Sequence, residues 1–212
     1  KEALIEQGVD PDKVKILGIP ISLKFLSTYP KEQISDEFNF IKDLDSILIM
    51  GGGLGIGPLK VIAKKLDSLP CNFQTIVVCG RNKGLYKWFI KRKHEFKKPI
   101  FIFSYTDDMH KIMDFSDMII TKAGGVTISE ALAKELCIIV TNPIPGQEER
   151  NVEYLSRRKA IVKSDNLERV AKIVNDFLQD KEKLHSLKGK AKENSFIDSS
   201  LKIVDLIAEL TD

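Results

Sequence analysis

Apolar runs and amphipathic segments alternate along the chain, with glycine- or proline-containing turns between them. Short apolar runs bounded by turn residues predict buried strands, and apolar residues at helical spacing predict helices. Strands are predicted at residues 14–17, 47–50, 75–79, 100–103, 118–120, 138–140 and 160–162. Helices are predicted at 2–7, 31–40, 58–69, 84–90, 109–115, 126–136 and 149–158, with more amphipathic helices in 165–210. This alternation predicts an α/β fold, a doubly wound parallel sheet of about six strands.

The stretch from 116 to 151 is the part around which we expect the rest of the chain to be organised. A strand, the pair Gly124-Gly125, a helix and a second strand form a βαβ crossover. The first turn of such a helix presents free backbone amides and the positive end of the helix dipole, which attract phosphate. Thr127 and Glu130 also have the spacing of a capping box, which is a purely structural alternative for the same residues.

A second glycine-rich turn, at residues 51–57, follows the strand at 47–50. It lacks the Lys-Ser or Lys-Thr of a P-loop, and its glycines do not have the spacing of a dinucleotide fingerprint. The remaining interpretation is a flexible backbone at the carboxyl edge of the sheet, where open α/β sheets bind ligands. With the Gly124-Gly125 turn and the loop around Pro145, it makes three candidate turns for one ligand site.

Composition and charge add few constraints. The chain has 212 residues and a formal net charge of +3, so no whole-protein field argues for nucleic acid. Three cysteines without metal spacing predict reduced core thiols, and no apolar stretch approaches the roughly 20 residues of a membrane span. The basic cluster at 91–94, together with Trp88 and Phe89, is a candidate contact for an anionic membrane surface. Asp107 or Asp108 is expected to cap the helix at 109–115.

Several motifs together resemble a known family. They are GIPIS (18–22), IMGGGLGIGP (49–58), VCGRN (78–82), TDDMHKIMDFSDMIITKAGGVTISEAL (106–132) and PIPGQEERNVEYL (143–155). They are similar to the C-terminal domain of inverting GT-B glycosyltransferases, and most similar to the family 28-like group of monogalactosyldiacylglycerol synthases and processive diacylglycerol glucosyltransferases. The resemblance implies that residues 1–212 are one Rossmann-like domain, the C-terminal half of a GT-B enzyme, with C-terminal helices at 165–210. It also implies an N-terminal acceptor domain that this chain does not include.

The resemblance implies a set of donor-binding residues. They are Gly52, Gly53, Arg81, Thr106, Gly124, Gly125, Val126, Thr127, Glu130, Gln147 and Glu148. The glycines of the first turn approach the diphosphate, the arginine and Thr106 lie by the uracil, and residues 124–127 meet the phosphates. Glu130 accepts hydrogen bonds from the ribose hydroxyls, and the last two residues contact the hydroxyls of the sugar. Lys122, just before the glycine pair, adds positive charge.

The implied reaction is inverting transfer of a hexose from UDP-glucose or UDP-galactose to a diacylglycerol-type lipid. A general base in the N-terminal domain activates the acceptor, so no catalytic residue is expected in this chain. No cofactor and no metal site are expected, and the implied location is cytoplasmic, peripheral on the inner face of the membrane. Three alternatives stay open: a lipid glycosyltransferase that uses UDP-N-acetylglucosamine, a separate donor-binding subunit with a membrane partner chain, and a sugar-nucleotide 2-epimerase.

Overall fold

A six-stranded parallel sheet forms the centre of the protein, in a computed structural model that describes residues 1–211. The strands are β1 (Ser46–Met50), β2 (Gln74–Val78), β3 (Ile100–Phe103), β4 (Met118–Thr121), β5 (Cys137–Val140) and β6 (Ile161–Lys163). The α-helices are α1 (Glu2–Glu6), α2 (Lys31–Phe38), α3 (Leu59–Asp67), α4 (Lys83–Arg92), α5 (Met109–Phe115), α6 (Gly125–Ala133), α7 (Gln147–Arg157), α8 (Leu167–Gln179), α9 (Lys181–Glu193) and α10 (Ser199–Thr211). Short 3₁₀ helices lie at Pro11–Lys13, Leu23–Leu26 and Lys93–Glu95.

In the strand order β3-β2-β1-β4-β5-β6, the first strand in the sequence, β1, lies in the middle of the sheet. The chain winds outward from β1 to β3, returns to β4 on the other side of β1, and winds outward again to β6. This is the doubly wound arrangement, so the predicted fold class is confirmed. Between β1 and β4 the two connections leave in opposite directions, which opens a crevice at the carboxyl ends of these strands.

The strands separate two hydrophobic cores, because alternate side chains point to opposite faces of the sheet. Leu48 and Met50 of β1 face the core that α2, α5, α6 and α7 cover. Ile47 and Ile49 face the core that α3, α4 and α8 cover. Burial on both faces explains why each strand reads as a continuous apolar run in the sequence.

The strand predicted at residues 14–17 is absent, and this prediction is wrong. The segment is irregular, between the 3₁₀ helices Pro11–Lys13 and Leu23–Leu26. Its backbone is held from α10, where the hydroxyls of Ser199 and Ser200 donate to the carbonyl oxygens of Ile19 and Ile21 at 2.8 and 2.6 Å. The apolar run at 14–17 is not a core strand: Val14 is buried, but Ile16 is 61% exposed. The backbone that follows it pairs with side chains of a helix rather than with a strand.

The helix at Lys83–Arg92 changes the interpretation of the neighbouring basic cluster. Phe89 is fully buried in the core, so it cannot contact a membrane surface as the sequence suggested. Trp88 is half-buried at the edge of the helix. In the described part of the chain, no helix is long and apolar enough to cross a bilayer.

Candidate functional site

A cavity of about 420 Å³ lies at the crevice between β1 and β4. Its walls come from the ends of β1 and β2, the loop after β3, the first turns of α5 and α6, and the 3₁₀ helix Leu23–Leu26. The lining residues are Ser22, Lys24, Phe25, Met50, Gly52, Gly53, Val78, Gly80, Tyr105, Thr106, Asp107, Met109, His110, Val126, Thr127 and Glu130. Six of the predicted residues are thus brought together: Gly52, Gly53, Thr106, Val126, Thr127 and Glu130.

The glycine turn after β1, for which the sequence predicted a flexible backbone, is closed by backbone hydrogen bonds within the turn and from the next crossover. The Gly55 amide donates to the Gly52 carbonyl at 3.0 Å, and the Arg81 amide donates to the Gly53 carbonyl at 2.9 Å. A Cβ at Gly55 would lie 1.9 Å from the carbonyl oxygen of Cys79, so this glycine is required for close packing. A Cβ at Gly52 or Gly53 would meet nothing within 4 Å. Gly53 has no positive φ and no close neighbour, so the fold does not require glycine at this position. Its missing side chain leaves free space in the cavity.

Helix α6 begins at Gly125, with Gly124 in the N-cap position and no side-chain cap. Thr127 therefore lies inside the first turn rather than at the cap, and the capping-box alternative is wrong. The backbone amides of the first turn have no partner within the helix. Because Val126 and Thr127 line the cavity, these amides and the positive end of the helix dipole lie at its wall. This arrangement favours an anionic group in the cavity.

Glu130 lies one turn further along α6, with its carboxyl group in the cavity wall. Burial raises its pKa from 4.5 to about 7. The cause is desolvation, which penalises the charged carboxylate when no cation or donor compensates it. A buried carboxylate of this kind is an acceptor for the hydroxyl groups of a ligand.

The loop after β3 forms the opposite wall. Thr106 Oγ1 accepts from the Asp108 amide at 3.1 Å, so the threonine closes this turn. Asp108 occupies the N-cap position of α5 as predicted, but its side chain makes no capping hydrogen bond. Arg81 does not line the cavity; its guanidinium stacks over the ring of Tyr105, 5.2 Å from the ring centroid. Tyr105 thus connects the arginine to the cavity wall.

The two glycines at the start of α6, Gly124 and Gly125, differ in what surrounds them. A Cβ on Gly125 would lie 2.7 Å from Cδ1 of Ile19, so this glycine allows the irregular segment before the 3₁₀ helix Leu23–Leu26 to pack against α6. It lines a second, apolar cavity of about 280 Å³ on the other side of the helix. Gly124 lies next to Glu148, whose Oε1 would be 3.8 Å from an added Cβ. Neither glycine lines the larger cavity.

The third predicted turn, around Pro145, does not line the cavity. Glu148 Oε1 accepts from Lys122 Nζ at 3.2 Å, and its Oε2 accepts from the Ile144 amide at 2.7 Å. The side chains of this ion pair are only 15% and 13% exposed. Lys122 therefore neutralises Glu148 rather than facing the cavity. The side chain of Gln147 lies outside the described part of the structure. The sugar-contact role of both residues stays a prediction.

Lys24 and His110 are lining residues that the sequence did not reveal. Within residues 1–211, Lys24 is the one lysine or arginine in the cavity wall, and no carboxylate pairs with it. His110 is 3% exposed, and its Nδ1 has no hydrogen-bond partner. Desolvation lowers the pKa of His110, and nearby charges, including Lys24, also act on it. Lys24 lies outside the motifs quoted above, and the fold brings its segment, 22–26, to this edge of the sheet. His110 lies within the 106–132 motif, but its residue type and spacing predicted no role for it.

Metal ligands do not cluster at the cavity. Across residues 1–211, no group of three or more His, Cys, Asp or Glu side chains is placed to hold a metal ion.

Comparison with known proteins identifies the relatives of this chain. The sequence profile described as "Glycosyltransferase family 28 C-terminal domain" matches residues 46–207. A processive diacylglycerol beta-glucosyltransferase from Bacillus pumilus is 31% identical over 214 residues, which cover 100% of this chain and 55% of that protein. Monogalactosyldiacylglycerol synthase 3, chloroplastic, from Arabidopsis thaliana is 37% identical over 221 residues, covering 100% of this chain and 47% of that protein. The chain thus spans about half the length of these curated relatives.

A solved structure supports the same fold assignment. The Anabaena protein HepE, described in complex with UDP-glucose, superposes with a TM-score of 0.66 at 13% identity. The match covers 98% of this chain and 61% of HepE. At this identity the likeness shows the fold alone.

Proposed function

The chain belongs to the family of glycosyltransferase family 28 C-terminal domains, and from this premise we propose that it binds the donor of an inverting glycosyltransferase. The proposed donor is a UDP-hexose, and the proposed acceptor is a diacylglycerol-type lipid, since the relatives in this family are named for that lipid. The acceptor site and the general base are proposed to lie in an N-terminal domain, as this chain spans about half of each relative. The proposed location is the inner face of the membrane, with peripheral attachment.

One observation supports the proposal: the cavity joins groups suited to the diphosphate, the ribose and the base of UDP. Gly53 leaves open space beside the amides of the first turn of α6, where a diphosphate fits. The carboxyl group of Glu130 lies one turn away and accepts hydroxyl donors such as those of a ribose. The loop at Thr106 offers backbone groups for the edge of the base. Each group lines the same cavity, at the place where this kind of sheet binds nucleotides.

The proposed contribution to chemistry is stabilisation of the leaving group. In inverting transfer, the acceptor hydroxyl loses its proton to a base and attacks the anomeric carbon, while the bond from that carbon to the UDP oxygen breaks. Negative charge then grows on the diphosphate. Fixed amides, the helix dipole and the ammonium group of Lys24 lower the energy of this charge without having to reorganise. The side chains of this domain thus hold and stabilise UDP, whereas proton removal takes place elsewhere.

The test is a calorimetric and thermal-shift panel on the 212-residue chain with UDP, UDP-glucose, UDP-galactose and UDP-N-acetylglucosamine. We expect UDP and at least one UDP-hexose to bind and to raise the unfolding temperature, because a ligand that binds only the folded state stabilises it. ADP is the matched control, since it carries the same diphosphate on a different base. Absence of binding by every uridine nucleotide, or equal binding of ADP and UDP, contradicts the proposal.

A further inference from the structure

Helix α4 carries an exposed stripe of positive charge with no acidic residue in it. Its sequence, KGLYKWFIKR, contains three lysines and an arginine but no Asp or Glu. Lys83, Lys87 and Lys91 follow each other at intervals of four residues and are all exposed. Residues four apart lie on one face of a helix. Leu85 and Phe89 occupy the opposite face and are buried in the core, so the cationic stripe points away from the protein.

The fold adds a second set of cations from α3. Lys60 and Lys64 lie over the ring of Trp88, with their Nζ atoms 5.1 and 5.3 Å from its centroid. Arg92 approaches the same ring at 5.1 Å. Three positive charges around one indole repel one another, although each is attracted to the face of the ring. No sequence motif shows this cluster, because α3 and α4 meet only in the folded sheet.

These cations lack local counter-charges. Arg92 pairs with Glu95 at 3.6 Å, whereas within residues 1–211 no carboxylate pairs with Lys60, Lys64, Lys87 or Lys91. The formal net charge of the whole chain is only +3. These unpaired cations lie close together on a protein whose net charge is nearly balanced, and they create a local positive field that favours a polyanionic partner.

Apolar side chains are interleaved with the cations. Val61 of α3 is 44% exposed and Ile90 of α4 is 47% exposed. With the half-buried indole of Trp88, they form an amphipathic surface: cations, an aromatic ring and aliphatic groups. Such a surface suits the boundary of a bilayer, where lysines meet headgroups and apolar groups enter the acyl region. A nucleic acid supplies phosphates but no apolar layer, so the bilayer is the better match.

We propose that the α3–α4 face, formed by Lys60, Val61, Lys64, Lys87, Trp88, Ile90 and Lys91, docks on a bilayer that contains anionic phospholipids. This surface is separate from the donor cavity. Its test needs no nucleotide, so failure of docking leaves the donor proposal standing, and failure of UDP binding leaves docking standing. Each basic side chain near an anionic surface contributes about 1 kcal/mol, which is about fivefold in affinity.

Trp88 is the single tryptophan of the chain, so its fluorescence reports directly on this face. The 212-residue chain is titrated with vesicles of phosphatidylcholine alone and with vesicles containing about 30% phosphatidylglycerol. We expect a blue shift and co-sedimentation only with the anionic vesicles. Both decline when salt rises from about 0.1 to about 0.5 M, because the Debye length shortens.

Paired variants test the location. Lys87→Gln with Lys91→Gln is expected to weaken vesicle binding about 25-fold, from two losses of about fivefold each. Lys13→Gln with Lys15→Gln removes the same charge from a segment beside the opposite core, and we expect it to bind as the wild type does. Equal binding by the two double variants overturns the proposal. So does sedimentation without a change in Trp88 emission, or a shift caused by heparin but not by the anionic vesicles.

Discussion

Replacing Glu130 by Gln is expected to stabilise the free protein while weakening its hold on UDP. The Glu130 side chain is partly buried in the cavity wall, and desolvation raises its pKa to about 7. In the unfolded chain the same group ionises near 4.5. Below pH 4.5 the group is neutral in both states and costs nothing. Between pH 4.5 and 7 the unfolded state loses its proton first, so the stability of the folded protein falls, and above pH 7 the penalty is constant.

The size of the penalty follows from the difference between the two pKa values. One pKa unit corresponds to about 1.36 kcal/mol, so the shift of Glu130 from 4.5 to about 7 amounts to about 3–4 kcal/mol at most. The cavity is open to water, which screens the charge and lowers this figure to about 1–2 kcal/mol. Gln has nearly the same shape and no charge, so it removes the penalty. For a domain of this size, we expect the melting temperature at pH 8 to rise by about 2–8 °C.

The assay compares thermal and urea unfolding of the wild type and Glu130→Gln between pH 5 and 8, followed by calorimetry with UDP. The stability difference should shrink as the pH falls towards 4.5. UDP binding to the variant should weaken by about 1–3 kcal/mol, the loss of hydrogen bonds to a charged acceptor. Glu182→Gln, at an exposed position on α9, is the matched control and should change neither quantity. A variant that is less stable at pH 8, or that binds UDP as tightly as the wild type, refutes the reasoning.

Three further predictions concern the cavity and its support. Lys24→Gln should lower the affinity for UDP about tenfold, equivalent to about 1.4 kcal/mol, and leave the affinity for uridine unchanged. Lys24→Arg should retain most of the UDP affinity in the same titration. Gly53→Ala should weaken UDP binding without changing the free energy of unfolding in urea. Gly55→Ala should lower that free energy, because its Cβ would lie 1.9 Å from a carbonyl oxygen. A larger loss of stability for Gly53→Ala than for Gly55→Ala would contradict the packing argument. Lys134 and Asp114 form a buried ion pair at 2.8 Å, with side chains 2% and 7% exposed. Lys134→Met should therefore cost about 3–5 kcal/mol in urea unfolding, and a loss below about 1 kcal/mol would show that the carboxyl group is satisfied without the lysine.

The sheet was predictable because its strands are buried on both faces. A continuous apolar run such as the one at 47–50 fits the inside of a parallel sheet, where both faces are covered. The turns that follow parallel strands then lie at one edge of the sheet. The strand predicted at 14–17 failed because an apolar run does not by itself guarantee burial: Val14 is buried, but Ile16 is 61% exposed. A capping box at Thr127 requires Thr127 to be the N-cap of α6. The helix instead begins at Gly125, with Gly124 as its N-cap, and the residue pattern alone did not reveal this start.

The cavity was only partly predictable. Gly53, Thr127 and Glu130 stand in motifs with a known physical use, and the fold brings them together. Lys24 does not, since its segment reaches the cavity through contacts with segments that are distant in sequence. His110 is only four residues from Thr106, but its residue type and spacing predicted no role. Likewise, the pairing of Lys122 with Glu148 could not be inferred, because two charged residues about 26 positions apart give no signal until α7 is placed beside the turn.

The closed glycine turn after β1 has a consequence for the timing of ligand exchange. Its carbonyls and amides are already engaged with one another and with the start of the next crossover, at Arg81. The turn does not have to become ordered when a nucleotide binds, so we expect no slow conformational step between the first contact and the bound complex. We therefore expect the observed binding rate in stopped-flow experiments to increase linearly with ligand concentration. The residence time of the ligand is then set by its dissociation rate constant alone.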